Sequence, residues 1–402
     1  MTTAGLTVPT AAARPRLISR TLLLVFLADF AGLASFYLLL SVVPLYAASA
    51  GMGTAGAGLA TAVLMASTVV AELAMPRLVA AFGHRRVLAA GLLLLGVPAL
   101  VLPVAASPLA IVAVCLLRGV GLAVIFVVCG ELGAALVPVE RRGEGLGVLG
   151  VVAGVPAVVA MPLGVWLAGF VGFGPVSLAG AVAALAGLAA VGALPRHPVP
   201  AAQPHDGPAS VGVLTALRTP GLLRPAVVFA VTAVGAGAVL TFLPVAAPHG
   251  SGNLAAVALL AHSVAATVSR WWAGRYGDRH GAAALLGPGA LLAAAGMAGL
   301  VLIDSPAAVL TGAALFGAGF GAVQNASLAA MYRTVSVGAF GAVTALWSVA
   351  YDAGLGLGAA GFGLLSSHTG YPTAFAFTAT AIAAAVPLCR RRPPRSGTHR
   401  RS

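Results

Sequence analysis

The sequence of 402 residues has no lysine and little charge of any kind, with charged residues making up 8% of the chain. Because a nucleotide-binding phosphate loop ends in Lys followed by Ser or Thr, the absence of lysine excludes this route to direct use of ATP. The three cysteines, Cys115, Cys129 and Cys389, have neither the spacing of a metal site nor that of a disulfide framework. No Ser/His/Asp set is visible either, so we expect no enzyme, no metal and no cofactor.

What the chain has instead is apolar surface: 60% of its residues are hydrophobic and the mean hydropathy is +1.03. This exceeds what a soluble core needs and is typical of a protein that crosses a membrane several times. The net charge of +13 does not indicate nucleic-acid binding, because the arginines are scattered in short loops and a tail. The expected surroundings are therefore a lipid bilayer, with no nucleic acid.

Long apolar runs predict twelve membrane-spanning helices, since about 20 apolar residues cross a bilayer. Arginine occurs in alternate loops, whereas the loops in between, such as 103–108 and 248–253, contain none. By the positive-inside rule, both termini are therefore expected on the cytoplasmic side of the plasma membrane. The predicted spans are 21–46, 55–78, 86–104, 108–136, 146–169, 175–194, 224–247, 253–274, 283–303, 306–331, 339–364 and 371–389.

The only long polar stretch between spans divides the chain into two sets of six helices. The halves echo each other, because Gly83 and Gly281, in the arginine-rich loops after spans 2 and 8, are 198 residues apart. Two six-helix halves related by a parallel repeat are an architecture of transporters. The predicted segments are an N-terminal tail (1–20), an N-terminal bundle (21–194), a central loop (195–222), a C-terminal bundle (223–389) and a basic tail (390–402).

The loop after span 8 reads GRYGDRHG. Its Gly274, Asp278, Arg279 and Gly281 match Gly-x-x-x-Asp-Arg-x-Gly, the loop motif of the major facilitator superfamily, which the chain resembles. Further similarities are YLLLSVVPLY in span 1, RGVG in span 4, ERRGEGLG before span 5 and YDAGLGLG in span 11. The set looks most like the bacterial drug/proton antiporter and sugar-efflux-like branch. The resemblance implies an all-α membrane protein with twelve helices in two pseudo-symmetric bundles of six.

The first copy of this loop, PRLVAAFGHRR, has Ala80 where the motif has aspartate. The resemblance gives Asp278 and Arg279 the role of a gating latch between the two halves on the cytoplasmic side, a role that Ala80 cannot fill. The alternative is that such arginines only fix the orientation of the protein. Both interpretations stay open for Arg85 and Arg86, and the orientation role is the one we favour for them.

Charged residues inside the predicted spans are the main candidates for a site, because each costs about 2.5–3.5 kcal/mol at the bilayer centre. Asp29, Arg118 and Asp352 lie near mid-depth, whereas Glu72 and Arg270 lie nearer the cytoplasmic ends, at equivalent places in the two halves. Three acids and two arginines would give two buried pairs and one spare acid. We predict proton coupling by Asp29, Glu72 and Asp352, with Arg118 as the modulator of Asp29 or the partner of Glu72. The alternative for each residue is a structural role.

Four further residues complete the predicted substrate cavity around Asp29. Gln324 and Asn325 in span 10 either hydrogen-bond a substrate or join helices. His262 in span 8 either relays a proton or packs in the core, and Tyr351 precedes Asp352 in span 11. Because aromatic residues make up only 6% of the chain, we expect a cavity poor in aromatics and charge. Such a cavity suits a hydrophobic or weakly polar compound.

The sequence therefore predicts a monomeric secondary transporter that couples protons to the efflux of a small drug-like or natural compound by alternating access. An uptake symporter or a sugar-efflux permease would have the same fold, and only the direction or the substrate would differ. A protein of another class, such as a membrane assembly factor or sensor, would need no protonation cycle. Replacing the buried acids by amides separates these alternatives.

Overall fold

The computed structural model describes residues 18–104, 107–138, 141–195, 219–247, 253–336 and 339–389. Within these ranges the chain is almost entirely helical and contains no strand. The expected all-α architecture is confirmed. Nearly all of the predicted N-terminal tail, most of the central loop and the whole basic tail lie outside the described residues, so the predicted segment boundaries there stay predictions.

Twelve long helices occur in the described ranges, and each coincides with one predicted span. The first six helices are α1 (Arg20–Leu40), α2 (Gly53–Phe82), α3 (His84–Gly96), α4 (Pro108–Val124), α5 (Arg142–Val171) and α6 (Phe173–Ala193). A short helix, Val42–Ala47, continues α1 after Ser41, and a π-helical turn, Ile125–Cys129, leads α4 into a last helical segment, Gly130–Leu136. The second six are α7 (Pro220–Ala246), α8 (Leu254–His280), α9 (Leu286–Gly299), α10 (Pro306–Tyr332), α11 (Phe340–Thr369) and α12 (Tyr371–Ala385).

Ten continuous helical stretches in the described ranges are long and apolar enough to cross a membrane. The first of them, Arg20–Phe82, has 63 residues, enough for two crossings of about 20 residues each. Gly51 and Gly53 have φ of +88° and +64° and separate α1 with its extension from α2. The shorter α3, prolonged by a 3-10 turn to Leu100, adds the remaining crossing. The structure is therefore consistent with twelve spans.

Four glycines end long helices with the same backbone conformation. Gly83, Gly172, Gly281 and Gly370 follow α2, α5, α8 and α11, with φ between +77° and +90°, a region that other residues rarely adopt. Gly83 and Gly281 are 198 residues apart, and so are Gly172 and Gly370. The internal repeat seen at one loop in the sequence thus includes a second loop, which the sequence analysis did not identify.

The helix ends that carry arginine form one face, which we call the basic face. It includes Arg20 at the start of α1 and Arg275 near the end of α8. The two halves contact each other through α2 with α11, α2 with α7, and α5 with α8. A Cβ built on Gly58 would lie 2.4 Å from the carbonyl oxygen of Ala359, and the Thr241 hydroxyl donates to the Thr61 hydroxyl at 3.0 Å. α2 begins at the end of the molecule opposite the basic face, which we call the opposite face. These contacts therefore hold the two halves together near the opposite face.

Candidate functional site

Arg118 lies at the centre of the N-terminal half and is 1% exposed. Its guanidinium donates to the carbonyl oxygen of Leu95 on α3 and, at 3.0 Å, to that of Ser35 on α1. Its Nε is buried and has no hydrogen-bond partner. Within the described ranges, no carboxylate lies within ion-pair distance of this guanidinium. Arg118 therefore joins α4 to α1 and α3 through backbone carbonyls.

The two buried ion pairs that the charge count suggested are not formed among the described residues. Arg118 does not contact Asp29, because the helix rises about 1.5 Å per residue and Ser35, which holds the guanidinium, is six positions farther along α1. Arg270, the other arginine within the spans, binds an amide instead of an acid. Asp29 itself is 4% exposed and makes no side-chain hydrogen bond in the part of the chain that the structure describes.

Glu72 and Asp352 come from different halves and face each other across the contact of α2 with α11. A Cβ on Gly356 would lie 3.0 Å from the Cβ of Met65. Towards the basic face, Asp352 lies one helical turn beyond Gly356 on α11. In the same direction, Glu72 lies two turns beyond Met65 on α2. Asp352 is 4% exposed, Glu72 is half-buried, and the two carboxyl groups interact electrostatically. The sequence predicted both acids and did not predict that they lie together.

Tyr37 on α1 links the charged residues of the two halves, and sequence reasoning missed it. Its hydroxyl lies close enough to Asp29, Asp352 and Arg270 for their charges to act on it. Tyr351 lies in the same range of Tyr37, Asp352 and Arg270. The only signal in the sequence was a tyrosine inside an apolar run, SFYLLLS, which is not specific. The two tyrosines therefore lie between Asp29 in the N-terminal half and Asp352 and Arg270 in the C-terminal half.

Arg270 and Gln324 form the polar end of a cavity of about 360 Å³ in the C-terminal half. The guanidinium Nη1 of Arg270, on α8, donates to Oε1 of Gln324, on α10, at 3.2 Å. Asn325 lies beside them, and its side chain makes no hydrogen bond to the described residues. Among the residues that the structure describes, no acid lines this cavity. Its walls include Arg270, Gln324, Asn325, Leu328, Tyr332 and Trp347.

Aromatic rings from three helices stack behind this cavity, contrary to the expectation that it is poor in aromatics. The ring centroid of Phe229 on α7 lies 4.7 Å from that of Trp347 and 5.8 Å from that of Tyr351, both on α11. The planes of both rings are nearly parallel to that of Phe229. Phe320 on α10 adds a ring 6.1 Å from Phe229. The expectation was wrong because several aromatics from different helices cluster here, which a percentage for the whole chain does not reveal.

His262 does not line the cavity. It is 4% exposed, its buried Nδ1 has no hydrogen-bond partner among the described residues, and its ring stacks on Phe316 at 5.5 Å and lies 6.2 Å from the ring of Phe320. A Cβ on Gly317 would lie 2.2 Å from the carbonyl oxygen of His262, so α8 and α10 pack closely at this point. The structure places His262 in the packed core, the second of the two alternatives left open by the sequence.

The loop motif after α8 lies at the basic face with its charges exposed. In the described part of the chain, the side chains of Asp278 and Arg279 make no ion pair and no hydrogen bond. Gly281 ends α8 with φ +90°, and a Cβ on Gly274 would lie 3.5 Å from Nδ2 of Asn325. The motif therefore continues α8 from the cavity to the basic face, and the latch expected of it is not engaged.

In the described ranges, the polar contacts of the equivalent loop after α2 are with its own half. Nη2 of Arg85 donates to the carbonyl oxygen of Gly192, at the end of α6, at 2.8 Å, whereas Arg86 is exposed. Nε2 of His84 lies 3.7 Å from Oε2 of Glu131 at the end of α4. An acid is thus present near this loop, but on another helix.

Comparison with protein-family models supports the interpretation of this architecture. Residues 25–336 match the model described as Major Facilitator Superfamily, and residues 226–402 match it again. The chain belongs to the Major Facilitator Superfamily. The match is to the superfamily as a whole, so the antiporter branch stays a prediction.

Solved structures of superfamily-like transporters share this fold. The nucleoside transporter NupG superposes with a TM-score of 0.73 at 12% identity, over 92% of this chain and 98% of that one. A bacterial homolog of the human lysosomal transporter Spinster gives 0.73 at 14%, over 94% and 95%. A POT family transporter gives 0.72 at 14%, over 92% and 95%. At such identities the likeness shows the fold alone, and a search of curated protein sequences finds no significant match.

Membership of the superfamily supports transmembrane transport of a small molecule and gives no support to an enzymatic role. The geometry adds two features on which a more specific function can be argued. One is the group of acids without basic partners where the halves meet. The other is the aromatic cavity around Arg270.

Proposed function

We propose that this member of the superfamily is a proton-coupled transporter that exports a small molecule by alternating access. The observation that carries the proposal is a set of three acids: Glu72 and Asp352, where the two bundles meet, and Asp29, inside the N-terminal bundle, have no basic partner within ion-pair distance among the described residues. An uncompensated carboxylate inside a membrane is costly, and binding a proton removes its charge. These residues are therefore the candidates to carry the coupled proton.

The placement of Glu72 and Asp352 on different bundles gives the coupling a mechanism. While α2 and α11 are in contact, two like-charged carboxylates repel each other, and a shared proton relieves this repulsion. When the bundles rock apart and water enters, both groups can ionise. Asp29 remains the first candidate for the carrier, because Tyr37 connects its electrostatic surroundings to those of Asp352.

The direction of export rests on the resemblance of the sequence to the drug/proton antiporters. We assign the basic face to the cytoplasm, since arginine is retained on that side of a membrane. The contacts of Gly58 with Ala359 and of Thr61 with Thr241 close the opposite face. A cavity closed there exchanges its substrate with the cytoplasmic side, which is the loading state of an exporter and equally the release state of an importer. This state fits both directions, and the resemblance favours export.

One observation favours uptake by symport as a second candidate. Arg270 has no acid partner within 4.0 Å in the described chain, so its charge is available to an anionic substrate. Protons on Asp352 and Glu72 would help such an anion to bind by removing nearby negative charge. Substrate and proton would then move together in the same direction.

The same proposal makes Asp278 and Arg279 a latch that closes the basic face in the other half of the cycle. Both side chains are exposed and make no ion pair among the described residues, which fits a state in which the two bundles are separated at the basic face. Arg85 already binds a carbonyl in its own half, which fits a role in orientation and packing more than in gating.

Proton movement in inside-out membrane vesicles tests the proposal. A pH-sensitive dye would follow the lumen while lipophilic cations, neutral antibiotics, sugars and aromatic acids are added one at a time. We expect a compound of this panel to release protons from the lumen in wild type. Asp29→Asn should reduce this release at least about tenfold, the order expected from losing an essential proton-transfer group.

The control is Asp304→Asn, which replaces an exposed acid between α9 and α10 and should behave as wild type. Substrate-dependent proton entry into the lumen, in place of release, would establish the symporter and exclude the exporter. Absence of any substrate-dependent proton movement across the whole panel would overturn proton coupling and leave a role outside coupled transport.

A further inference from the structure

The cavity of about 360 Å³ beside α8, α10 and α11 has the composition of a site for one class of compound. We infer that it binds a flat aromatic molecule that carries a carboxylate, with the ring against Trp347 and Tyr332 and the carboxylate on Arg270. The inference rests on the proposed transport function, since it names the substrate class of the same protein.

The charge of the walls selects an anion. Arg270 is the one charged residue that lines the cavity in the described chain, and its guanidinium makes a single hydrogen bond, to Gln324. A guanidinium has five N–H donors and stays protonated in proteins. A carboxylate can accept two of the remaining donors side by side, which is the strongest and most directional pairing that arginine makes.

Gln324 gives this arginine a defined position. Its Oε1 accepts from one nitrogen of Arg270 at 3.2 Å, so the guanidinium is held between α8 and α10 before a ligand arrives. The two helices are themselves close, because a Cβ on Gly321 would lie 2.1 Å from the carbonyl oxygen of Ala266. Asn325, next to Gln324 and without a partner among the described residues, offers one more amide to a polar ligand atom.

The apolar walls select a ring. The indole N–H of Trp347 donates to Oγ of Ser327 at 3.0 Å, and the Tyr332 hydroxyl is 2.7 Å from Oγ1 of Thr344. Because their polar atoms already have partners, these side chains present ring surface to the cavity. Trp347 is also stacked on Phe229 at 4.7 Å, which fixes its plane. Fixed aromatic surface favours a planar aromatic partner by offset or edge contact.

Size agrees with charge and shape. Cavities that bind small molecules have volumes of about 300–1,000 Å³, so this one is at the lower end and fits a compound of one or two fused rings. The cavity lies within the last three turns of α8 and α10 before the basic face, since Arg270 is ten residues from the end of α8. A ligand there can be reached from that face without passing the contacts that close the opposite one.

Equilibrium binding to the full chain in detergent or nanodiscs tests this without any transport. Three probes share the naphthyl ring and differ in the group it carries: 2-naphthoate, 2-naphthamide and 2-naphthylmethylamine. A fourth, cyclohexanecarboxylate, keeps the carboxylate on a smaller ring that is neither flat nor aromatic. We expect 2-naphthoate to bind most tightly, and the amine and the alicyclic acid at least about tenfold more weakly, the factor that corresponds to losing a hydrogen bond to a charged group or an aromatic contact. Isothermal titration calorimetry gives each Kd.

Variants separate the two recognition elements. Arg270→Gln should abolish the preference for naphthoate over naphthamide, while Trp347→Leu should weaken both naphthyl compounds and leave cyclohexanecarboxylate unchanged. Arg275→Gln is the matched control, because Arg275 is on the same helix but lies over the exposed ring of Trp271, at 4.0 Å. It should bind as wild type.

The inference is overturned if no naphthyl compound binds, if the amine binds best, or if Arg270→Gln keeps the preference for the acid. These outcomes are distinct from a failure of the proposed function. If naphthoate binds but the protein moves no protons, the proposed binding site is retained and the proposed proton coupling is rejected. If another compound drives proton movement and naphthoate does not bind, the coupling is retained and the proposed binding site is rejected.

Discussion

The two halves of this molecule have the same helix packing and carry different chemistry on it. A Cβ on Gly121 of α4 would lie 2.7 Å from the carbonyl oxygen of Gly91 on α3. At positions 198 residues later, a Cβ on Gly319 of α10 would lie 2.5 Å from the carbonyl oxygen of Gly289 on α9. Contacts that let the backbones approach are thus preserved between the halves.

The charged and aromatic residues are not preserved. Arg118, which joins three helices in the N-terminal half, corresponds to Phe316, and Glu72 corresponds to Arg270. Trp347 beside the cavity corresponds to Leu149. The N-terminal half has an interior joined by a buried cation, whereas the C-terminal half has a cation available to a ligand and rings beside it. The repeat therefore fixes where the helices lie, and the divergence between the halves is the reason that we propose binding in the C-terminal half.

The largest expected effect is on stability, from Arg118→Met. The change removes donors to the carbonyls of Leu95 and Ser35 in a buried site, at about 1–3 kcal/mol for each lost bond. We expect the unfolding temperature in detergent to fall by roughly 10 °C or more, or the protein to fail to accumulate. Arg86→Met, at an exposed position of the basic face, should leave the unfolding temperature unchanged. An Arg118→Met protein as stable as wild type would show that the guanidinium does not hold these helices.

A smaller effect is expected from Gly58→Leu, which acts on the contact between the halves and on neither bundle alone. The new side chain would meet the backbone of Ala359, so α2 and α11 must separate, at an overpacking cost of about 1–3 kcal/mol for the closed state. The readout is disulfide formation in the double variant Thr61→Cys, Thr241→Cys, whose native hydroxyls are 3.0 Å apart. The rate should fall about tenfold or more.

Gly361→Leu is the control for this measurement, because a Cβ at Gly361, also on α11, has open space around it. Cross-linking at the wild-type rate in both variants would mean that the opposite face does not depend on the close approach of α2 and α11. Fast cross-linking in the control alone would confirm that it does.

The sequence predicted the fold well because the fold depends on features that are local in the chain. Apolar runs of about 20 residues and arginine in alternate loops indicate spans and their order without knowledge of which helices touch. Glycine at the end of α8 likewise marks its own helix end. Even so, the repeat at Gly172 and Gly370 was missed, because a glycine in a glycine-rich sequence gives no signal without its φ angle.

The site could be predicted only as single residues. Asp29, Glu72, Arg118, Arg270 and Asp352 stand out because charge is rare inside spans, but partners lie on other helices and the linear pattern does not contain them. Counting charges suggested arginine–acid pairs, whereas the arginines bind carbonyls and an amide. The aromatic group was missed for a related reason, since its rings come from α7, α10 and α11.

The smallest effects are expected at the two loops of the basic face, where the comparison between the halves is sharpest. Asp278 is exposed and without a partner in the described chain, and Glu131 has a side chain 56% exposed, 3.7 Å from His84. Exposed ion pairs contribute about 0–1 kcal/mol, so Asp278→Ala and Glu131→Ala should each change the free energy of unfolding by less than about 0.5 kcal/mol.

The rate of substrate turnover should distinguish the two variants. If Asp278 forms a latch with the other half when the basic face closes, Asp278→Ala slows substrate turnover severalfold in proteoliposomes while Glu131→Ala does not. Equal turnover in both variants would mean that the loop after α8, like the loop after α2, serves only to orient the protein. A loss confined to Glu131→Ala would show that Glu131, in the segment that follows α4, has the gating role in the N-terminal half.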